Sequence, residues 1–360
     1  MPSIAFTGGG TGGHIYPGLA VASRLEETLS CRIFWIGSSV GMDRSIVEDA
    51  GLPFFGIPSG KLRRYLSLHN LGDVFKVIMG FFAARRILKR EKPALLFSKG
   101  GFVSVPPCAA ARSLGIPVFT HESDYSPGLA TRINSRFAER IFIPYKESAR
   151  FFGPAGAKVR VSGNPIRKEF SAADPQKGRA FLGLGPEERV LLVLGGSQGS
   201  QEINGLVREA LGELTRHYTV IHQTGETAGP AREEGSYKSY PYFKEEMAHV
   251  IAAAELVLCR SGAGTIWECK SLNKPIVLIP LRGSGTRGDQ VENARIFEEA
   301  GAAISYTGDS AQDLARIINS LAEDSEKRLK MAEARIVEKA EALGIIIEEI
   351  LERIGEKSHG

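Results

Sequence analysis

Cysteine is scarce. Cys31, Cys108, Cys259 and Cys269 are the only four in 360 residues, and none forms a CxxC pair. That excludes a disulfide scaffold and a cysteine zinc site, and it points to reduced thiols in a cytoplasmic protein. Long apolar runs are missing too. The uncharged stretch before Arg24 is broken by Gly8, Gly9, Gly10, Gly12 and Gly13, so it is neither a signal h-region nor a membrane span. A Walker A loop is lacking, because Gly56 to Lys61 is one residue short and continues into Leu62 rather than Ser or Thr. No RNP-like aromatic-basic string and no zinc-finger spacing occurs, so nucleic acid is not an expected partner.

What is present suits a soluble globular protein of two folding units: 360 residues, 43% hydrophobic and 24% charged. The net charge of +4 hides an asymmetry. Residues 1–165 carry 21 Lys+Arg against 11 Asp+Glu, and the remainder carries 24 against 30. A basic first half suits an anionic partner such as a lipid headgroup or a phosphorylated substrate.

Short apolar runs alternate with helical periodicity. Strands are expected at Ile4–Thr7, Arg32–Ile36, Ala94–Phe97 and Val118–His121, and the pattern restarts with Val190–Leu194, Thr219–His222, Leu256–Cys259 and Pro275–Ile279. This predicts two Rossmann-like α/β domains, each a doubly wound parallel sheet, facing a cleft. Gly163-Asn164-Pro165 interrupts regular structure where the charge balance changes sign, giving domains at 1–163 and 164–342. Helical period continues from Ala311 to Ile354, and a C-terminal helix at 343–360 is expected to pack back on the first domain.

Open α/β sheets bind ligands beyond the carboxyl ends of their strands, and four such junctions here are glycine-rich. They are Gly9-Gly10-Thr11-Gly12-Gly13-His14, Lys99-Gly100-Gly101-Phe102, Gly195-Gly196-Ser197-Gln198-Gly199 and Arg260-Ser261-Gly262-Ala263-Gly264-Thr265. Backbone amides at helix starts stabilise an anion by roughly 0.3 to 1 kcal/mol each when exposed, so several converging can hold a diphosphate. Gly8, Gly10 and Gly13 formally satisfy GxGxxG. The second strand, however, ends Gly37-Ser38 without the carboxylate that a dinucleotide ribose needs, which weakens a nicotinamide-dependent dehydrogenase. Glu268 is expected in the first turn of a helix starting near Thr265, facing a ribose, with Arg260 neutralising charge. His14 ends the first loop, where an imidazole can accept a proton near neutral pH. From Leu71 to Arg90 apolar residues, among them Phe75, Phe81 and Phe82, cover more of a helical wheel than one packed face requires. Arg63, Arg64, Lys76, Arg85, Arg86, Lys89 and Arg90 surround them, the composition of an element that meets anionic headgroups.

These motifs, with Gly100-Gly101-Phe102-Val103-Ser104, His121-Glu122-Ser123-Asp124, Gly163-Asn164-Pro165-Ile166-Arg167 and Gln290 with Asn293-Ala294, occur in an order that resembles glycosyltransferase family 28 along nearly the whole chain. The resemblance implies a GT-B fold, with donor nucleotide mainly on the second domain and lipid acceptor mainly on the first. It implies an inverting hexosyltransferase that moves GlcNAc from UDP-GlcNAc to the 4-hydroxyl of undecaprenyl-diphosphate-linked MurNAc-pentapeptide (lipid I). The product would be lipid II for peptidoglycan, made at the cytoplasmic face of the membrane by a peripheral protein. Anionic membrane and other cell-wall synthesis proteins are the further partners implied.

Residue by residue, the family pattern assigns Ser197 and Gln198 to the donor diphosphate, Ala263, Gly264 and Thr265 to backbone contacts with the diphosphate and sugar, and Arg167 to a place near the donor. It assigns Glu268 to ribose, Gln290 to GlcNAc hydroxyls, and Phe243, Lys244 and Met247 to the loop over uracil. It places Thr11, His14, Phe102 and Asp124 along the first-domain cleft on the acceptor side, and Thr11, Gly12, Gly13 and Asp124 within donor reach. The chain departs from the pattern at Asp124, where many relatives have Asn, at Phe102, where Tyr is common, and at Asp289, where His or Gln is frequent. His14 leads as general base and Asp124 rivals it. No DxD triplet occurs, so no protein-held metal or other cofactor is expected, with divalent cation assisting through substrate. A GT-B transferase acting on another lipid such as diacylglycerol, and a non-catalytic nucleotide-sugar-binding protein, are the competing readings.

Overall fold

The computed structural model describes residues 1–60, 69–196, 199–226, 229–283, 288–337 and 341–358. The chain divides into two compact units, Met1–Arg167 with Lys339–Gly360, and Lys168–Glu338. The division falls four residues beyond the expected 163/164 boundary, after Arg167.

The first unit is built on seven parallel strands: β1 (Ser3–Thr7), β2 (Arg32–Ser38), β3 (Phe54–Ile57), β4 (Leu95–Ser98), β5 (Val118–His121), β6 (Arg140–Ile143) and β7 (Val159–Val161), in the order β3-β2-β1-β4-β5-β6-β7. β1, β4 and β5 are buried on both faces, as expected for uncharged runs sandwiched between helices. One face carries Ile4, Phe6, Ile33, Trp35, Leu95 and Phe97, and the other Ala5, Phe34, Ile36 and Leu96.

The C-terminal helix Ala342–Ser358 belongs to this unit. It contributes Ile346, Ile347 and Ile350 to the first of those faces, worth about 1.5–3 kcal/mol for each fully buried side chain. Glu349 fastens it between Arg140 (2.5 Å) and Arg160 (2.6 Å), and Arg353 pairs with Glu139 at 2.8 Å. The helical period of Ala311–Ile354 resolves into separate helices at Ala311–Glu323, Ser325–Glu333 and Ala342–Ser358. Asp324 ends the first and caps the next by accepting from Lys327 N at 2.8 Å, which is why one periodic pattern yields two helices there.

The second unit repeats the plan with β8 (Val190–Leu194), β9 (Thr219–Gln223), β10 (Arg232–Glu234), β11 (Tyr237–Tyr240), β12 (Leu256–Cys259), β13 (Ile276–Leu278) and β14 (Ala303–Ser305), ordered β10-β11-β9-β8-β12-β13-β14. Its sheet is parallel except at one edge, where β10 pairs antiparallel with β11. Every residue of β10 is exposed and all three are charged, which blunts a free edge.

Candidate functional site

Both sheets reverse strand order beside their first strand. In the first unit β1 lies between β2 and β4, and in the second β8 lies between β9 and β12. The connections leaving β1 and β4 therefore start at a topological switch point, as do those leaving β8 and β12, the place where open α/β sheets bind ligands. These four loops are the four glycine-rich junctions of the sequence.

In the first unit the loop after β1 enters a short turn at Gly12–His14, ahead of the helix Tyr16–Thr28. Thr11 and Gly13 are exposed, and Gly12 and His14 half-buried. His14 N donates to Thr11 O (3.0 Å) and Trp35 Nε1 to Gly8 O (3.0 Å). The loop is packed tightly on the one after β4. A Cβ on Gly10 would lie 2.5 Å from Phe102 Cε1, and one on Gly101 would lie 2.5 Å from Gly9 O and 3.0 Å from His14 Cδ2. Phe102 and His14 are thereby brought together on the packed loops. Arg167 stacks over Tyr16 at 5.1 Å, and the Tyr16 ring lies against Gly12, so Arg167 is placed beside this first loop.

The loop after β4 is braced from beneath. Ser98 Oγ accepts from Gly100 N (3.2 Å) and Asn134 Nδ2 (3.2 Å), and Ser104 Oγ donates to Gly101 O (2.8 Å). Beside it, after β5, buried Glu122 accepts from Ser123 N (2.9 Å), Asp124 N (3.2 Å) and Gly128 N (3.1 Å). Glu122 thus shapes the loop that presents half-buried Asp124. Lys99 is only 1% exposed, and burial holds its ammonium below the usual lysine range against the opposing pull of Glu122 and Asp124. His121 is fully buried beside them with Nε2 3.0 Å from Gly163 O. Burial, together with Lys99, pushes its pKa well below the histidine norm and keeps it neutral. Lys99 and Glu122 stand in the glycine-loop and His-Glu-Ser-Asp motifs with no role legible from sequence, because burial of a charge after a strand has no sequence signature.

In the second unit the loop after β8 leads into the helix Gln201–Leu214, whose cap Ser200 accepts from Ile203 N at 3.2 Å. Ser197 and Gln198 lie outside the described residues. Gly196 O accepts from Gly199 N (3.1 Å) and Gln223 Nε2 (3.1 Å), while no described residue meets the Cβ direction of Gly196. After β12, Gly262 and the helix Ala263–Ser271 follow, and Gly262 and Gly264 likewise face open space. Glu268 sits in the second turn of that helix, not the first, since the helix starts at Ala263. Spacing of four and three residues still lays it over Gly264 and Thr265.

Gln290, in the first turn of the helix Asp289–Glu299, accepts from Leu281 N with Oε1 (3.0 Å), and its backbone O accepts from Ser261 Oγ (2.7 Å). Asn293 Nδ2 donates to Ser261 O at 3.1 Å, so this helix fixes the loop after β12. Two expected donor residues are placed otherwise. Arg260 spends its guanidinium within the protein, on Ile279 O (3.1 Å), Ser200 Oγ (2.7 Å) and Glu202 (2.7 Å), bracing the two loops together. Phe243 is buried against Phe181 and Tyr240, with its N–H donated to Gln223 Oε1, so its ring belongs to the core under the loop. Lys244 is exposed and Met247 half-buried at the start of the helix Met247–Ala253.

The helix His69–Glu91 separates its apolar residues into two stripes. Phe81, Ala84, Ile87 and Leu88 turn to the sheet, and Phe75 (63% exposed), Ile78, Met79 and Phe82 (64% exposed) turn outward among Lys76, Arg85 and Arg86. Phe81 is therefore a core-side residue, unlike Phe75 and Phe82. Arg63 and Arg64 lie outside the described residues. No described helix is long and apolar enough to cross a membrane.

Residues 4–143 match the glycosyltransferase family 28 N-terminal domain and residues 190–345 the family's C-terminal domain. The chain is 49% identical over 335 residues to the UDP-N-acetylglucosamine--N-acetylmuramyl-(pentapeptide) pyrophosphoryl-undecaprenol N-acetylglucosamine transferase of Treponema denticola, covering 87% of this chain and 85% of the relative. The protein of the same name from Shouchella clausii is 44% identical over 305 residues, 84% of this chain and 85% of the relative. In fold the chain is similar to crystalline MurG of Acinetobacter baumannii (TM-score 0.74, 24% identity, 98% and 100% of the two chains). It is similar also to the UDP-GlcNAc 2-epimerase of Neisseria meningitidis bound to UDP-GlcNAc (TM-score 0.70, 16% identity, 98% and 100%). The two Rossmann-like units are thus those of a GT-B protein, and the chain belongs to glycosyltransferase family 28.

Proposed function

We propose that this protein transfers GlcNAc from UDP-GlcNAc to the 4-hydroxyl of undecaprenyl-diphosphate-linked MurNAc-pentapeptide, converting lipid I to lipid II. The observation that carries this reading is the pair of glycine loops at the second unit's switch point, with Gly196, Gly262 and Gly264 open to an approaching ligand, in a chain so similar to transferases named for this reaction. Amides at the starts of the helices Gln201–Leu214 and Ala263–Ser271 stabilise the diphosphate and then the departing UDP, because their dipoles are already oriented before charge develops. Glu268 accepts from the ribose hydroxyls. Gln290 keeps its Oε1 on Leu281 N and offers its amide NH2 to the sugar.

On the first unit, His14 takes the proton of the attacking hydroxyl and Asp124 orients the acceptor. The anomeric carbon inverts in one displacement. Divalent cation, where it contributes, acts through the diphosphates of the substrates.

We further propose that the outward stripe of Phe75, Ile78, Met79 and Phe82, ringed by Lys76, Arg85 and Arg86, seats the first unit on the anionic cytoplasmic membrane surface where the acceptor resides. Incubating the purified chain with radiolabelled UDP-GlcNAc and a short-chain lipid I analogue tests the reaction, with UDP-glucose, UDP-galactose and diacylglycerol alongside. Label in a disaccharide-pentapeptide lipid is the expected result. Transfer to diacylglycerol alone would defeat the acceptor assignment.

A further inference from the structure

Asp43 lies just past the end of β2, at the start of the helix Asp43–Asp49, and is 1% exposed. Its two carboxylate oxygens reach two different loops: Oδ1 accepts from Gly10 N at 2.8 Å and Oδ2 from Ser38 N at 3.0 Å. Such bonds to an ionised acceptor are about twice as strong as neutral ones. In dinucleotide-binding folds an acid beyond the second strand meets a ribose. Here the acid comes five residues after Ser38 and turns inward, so it holds protein instead.

The neighbouring glycines are fitted to it. A Cβ on Gly9 would collide with Asp43 Oδ2, and Gly10 adopts φ +86°, a left-handed conformation that glycine takes without strain. On its other side the loop is pressed by Phe102 and Gly101, and from below Trp35 holds Gly8 O. The segment carrying Thr11 and His14 is therefore clamped between a carboxylate and an aromatic ring.

We propose that Asp43 is a positioning residue for transfer, setting the height of the first glycine loop so that the His14 imidazole meets the acceptor hydroxyl. The inference rests on the role given to His14 above. Replacing the carboxylate by its isosteric amide turns one acceptor into a donor that faces a backbone N–H, so the loop shifts. A misplacement of about 1 Å at a reacting group costs on the order of 100-fold in rate.

The test uses the full chain as wild type, Asp43→Asn, Asp43→Ser, His14→Ala and the His14→Ala/Asp43→Asn double variant. Expected are a kcat about 30- to 100-fold lower in both Asp43 variants, a KM for UDP-GlcNAc within about twofold of wild type, and little further loss when Asp43→Asn is added to His14→Ala. Amide exchange across residues 8–16 should quicken at least about tenfold in both Asp43 variants, whether or not they turn over. Asp43→Ser serves where Asp43→Asn does not fold, since the smaller side chain leaves room for water. An unchanged kcat beside an active wild type, full additivity with His14→Ala, or unchanged exchange at residues 8–16 would each overturn the role of Asp43. An inactive wild type with quickened exchange would instead sink the transfer reading and leave the tether standing.

Discussion

The two units use glycine differently. In the first, Gly8, Gly9, Gly10, Gly100 and Gly101 all face atoms of the protein itself, so close that a Cβ at most of them would collide. In the second, Gly195 and Gly199 are crowded in the same way, but Gly196, Gly262 and Gly264 face open space. Crowded glycines are there so that loops can pack on each other and hold side chains such as His14 and Phe102 in place. Open glycines leave room for a ligand beside backbone amides, as the proposed donor site requires. The same residue type after the same kind of strand thus positions side chains in one unit and leaves the main chain open in the other, the contrast on which the proposed acceptor role of the first and donor role of the second rest.

The largest expected effect separates the two jobs. His14→Ala should lower turnover by about 100- to 10,000-fold while leaving the calorimetric affinity for UDP-GlcNAc within about twofold. Equal loss of donor affinity would erase the distinction.

Acid should then expose a feature common to both units. Burial, with a smaller contribution from Arg208, lowers the His222 pKa to about 4, and His121 is lowered too. Their folded values lie below the unfolded one, so both contribute stability in full above about pH 6.5 that is lost as pH falls below it, for His222 down to about 4 and amounting there to roughly 3 kcal/mol. Denaturant titrations at several pH values check the slope, and His222→Gln should flatten it. A wild-type stability constant from pH 7 to 4.5 would contradict the burial argument.

Steric contrast comes next. Gly9→Ala should destabilise by about 1–3 kcal/mol through its collision with Asp43, seen as a lower melting temperature. Gly264→Ala lies in a helix with open space around it, so it should melt no lower than wild type and gain up to about 1 kcal/mol. It should nevertheless raise the KM for UDP-GlcNAc about tenfold by crowding the donor. If both variants lose stability alike, the comparison of crowded with open glycines fails.

The smallest effect on the fold should come from Phe75→Ser and Phe82→Ser, which change stability by less than about 0.5 kcal/mol because both rings are already in solvent. Binding to vesicles of anionic phospholipid should nonetheless fall about tenfold for each. Phe81→Ser, by contrast, should cost stability, since that ring packs on the sheet.

Much of the fold can be read without coordinates. β5, β8 and β12 match the expected strands residue for residue; β8 and β12 are apolar runs, and β5 begins at Val118-Phe119 just after Pro117. β3, β6, β7 and β14, each three or four residues long, have no expected counterpart. β10 and β11 are a charged edge and a Tyr-Lys-Ser-Tyr strand whose pairing comes from their neighbours. The site is legible to a similar degree. Glycine spacing picks out the four loops, but it cannot tell that Arg260 is committed to Glu202 and Ser200, or that the Phe243 ring is buried.

By itself the sequence determined where backbone amides would cluster and which family the chain resembles, because glycines and apolar runs act locally through backbone freedom and periodicity. Only the tertiary structure decided that Asp43 grips Gly10 across 33 positions, that Lys99 and Glu122 are buried together beneath Asp124, and which stripe of the helix His69–Glu91 stays outside. Those outcomes depend on which segments the sheet order brings side by side, and no local property of the chain encodes that order.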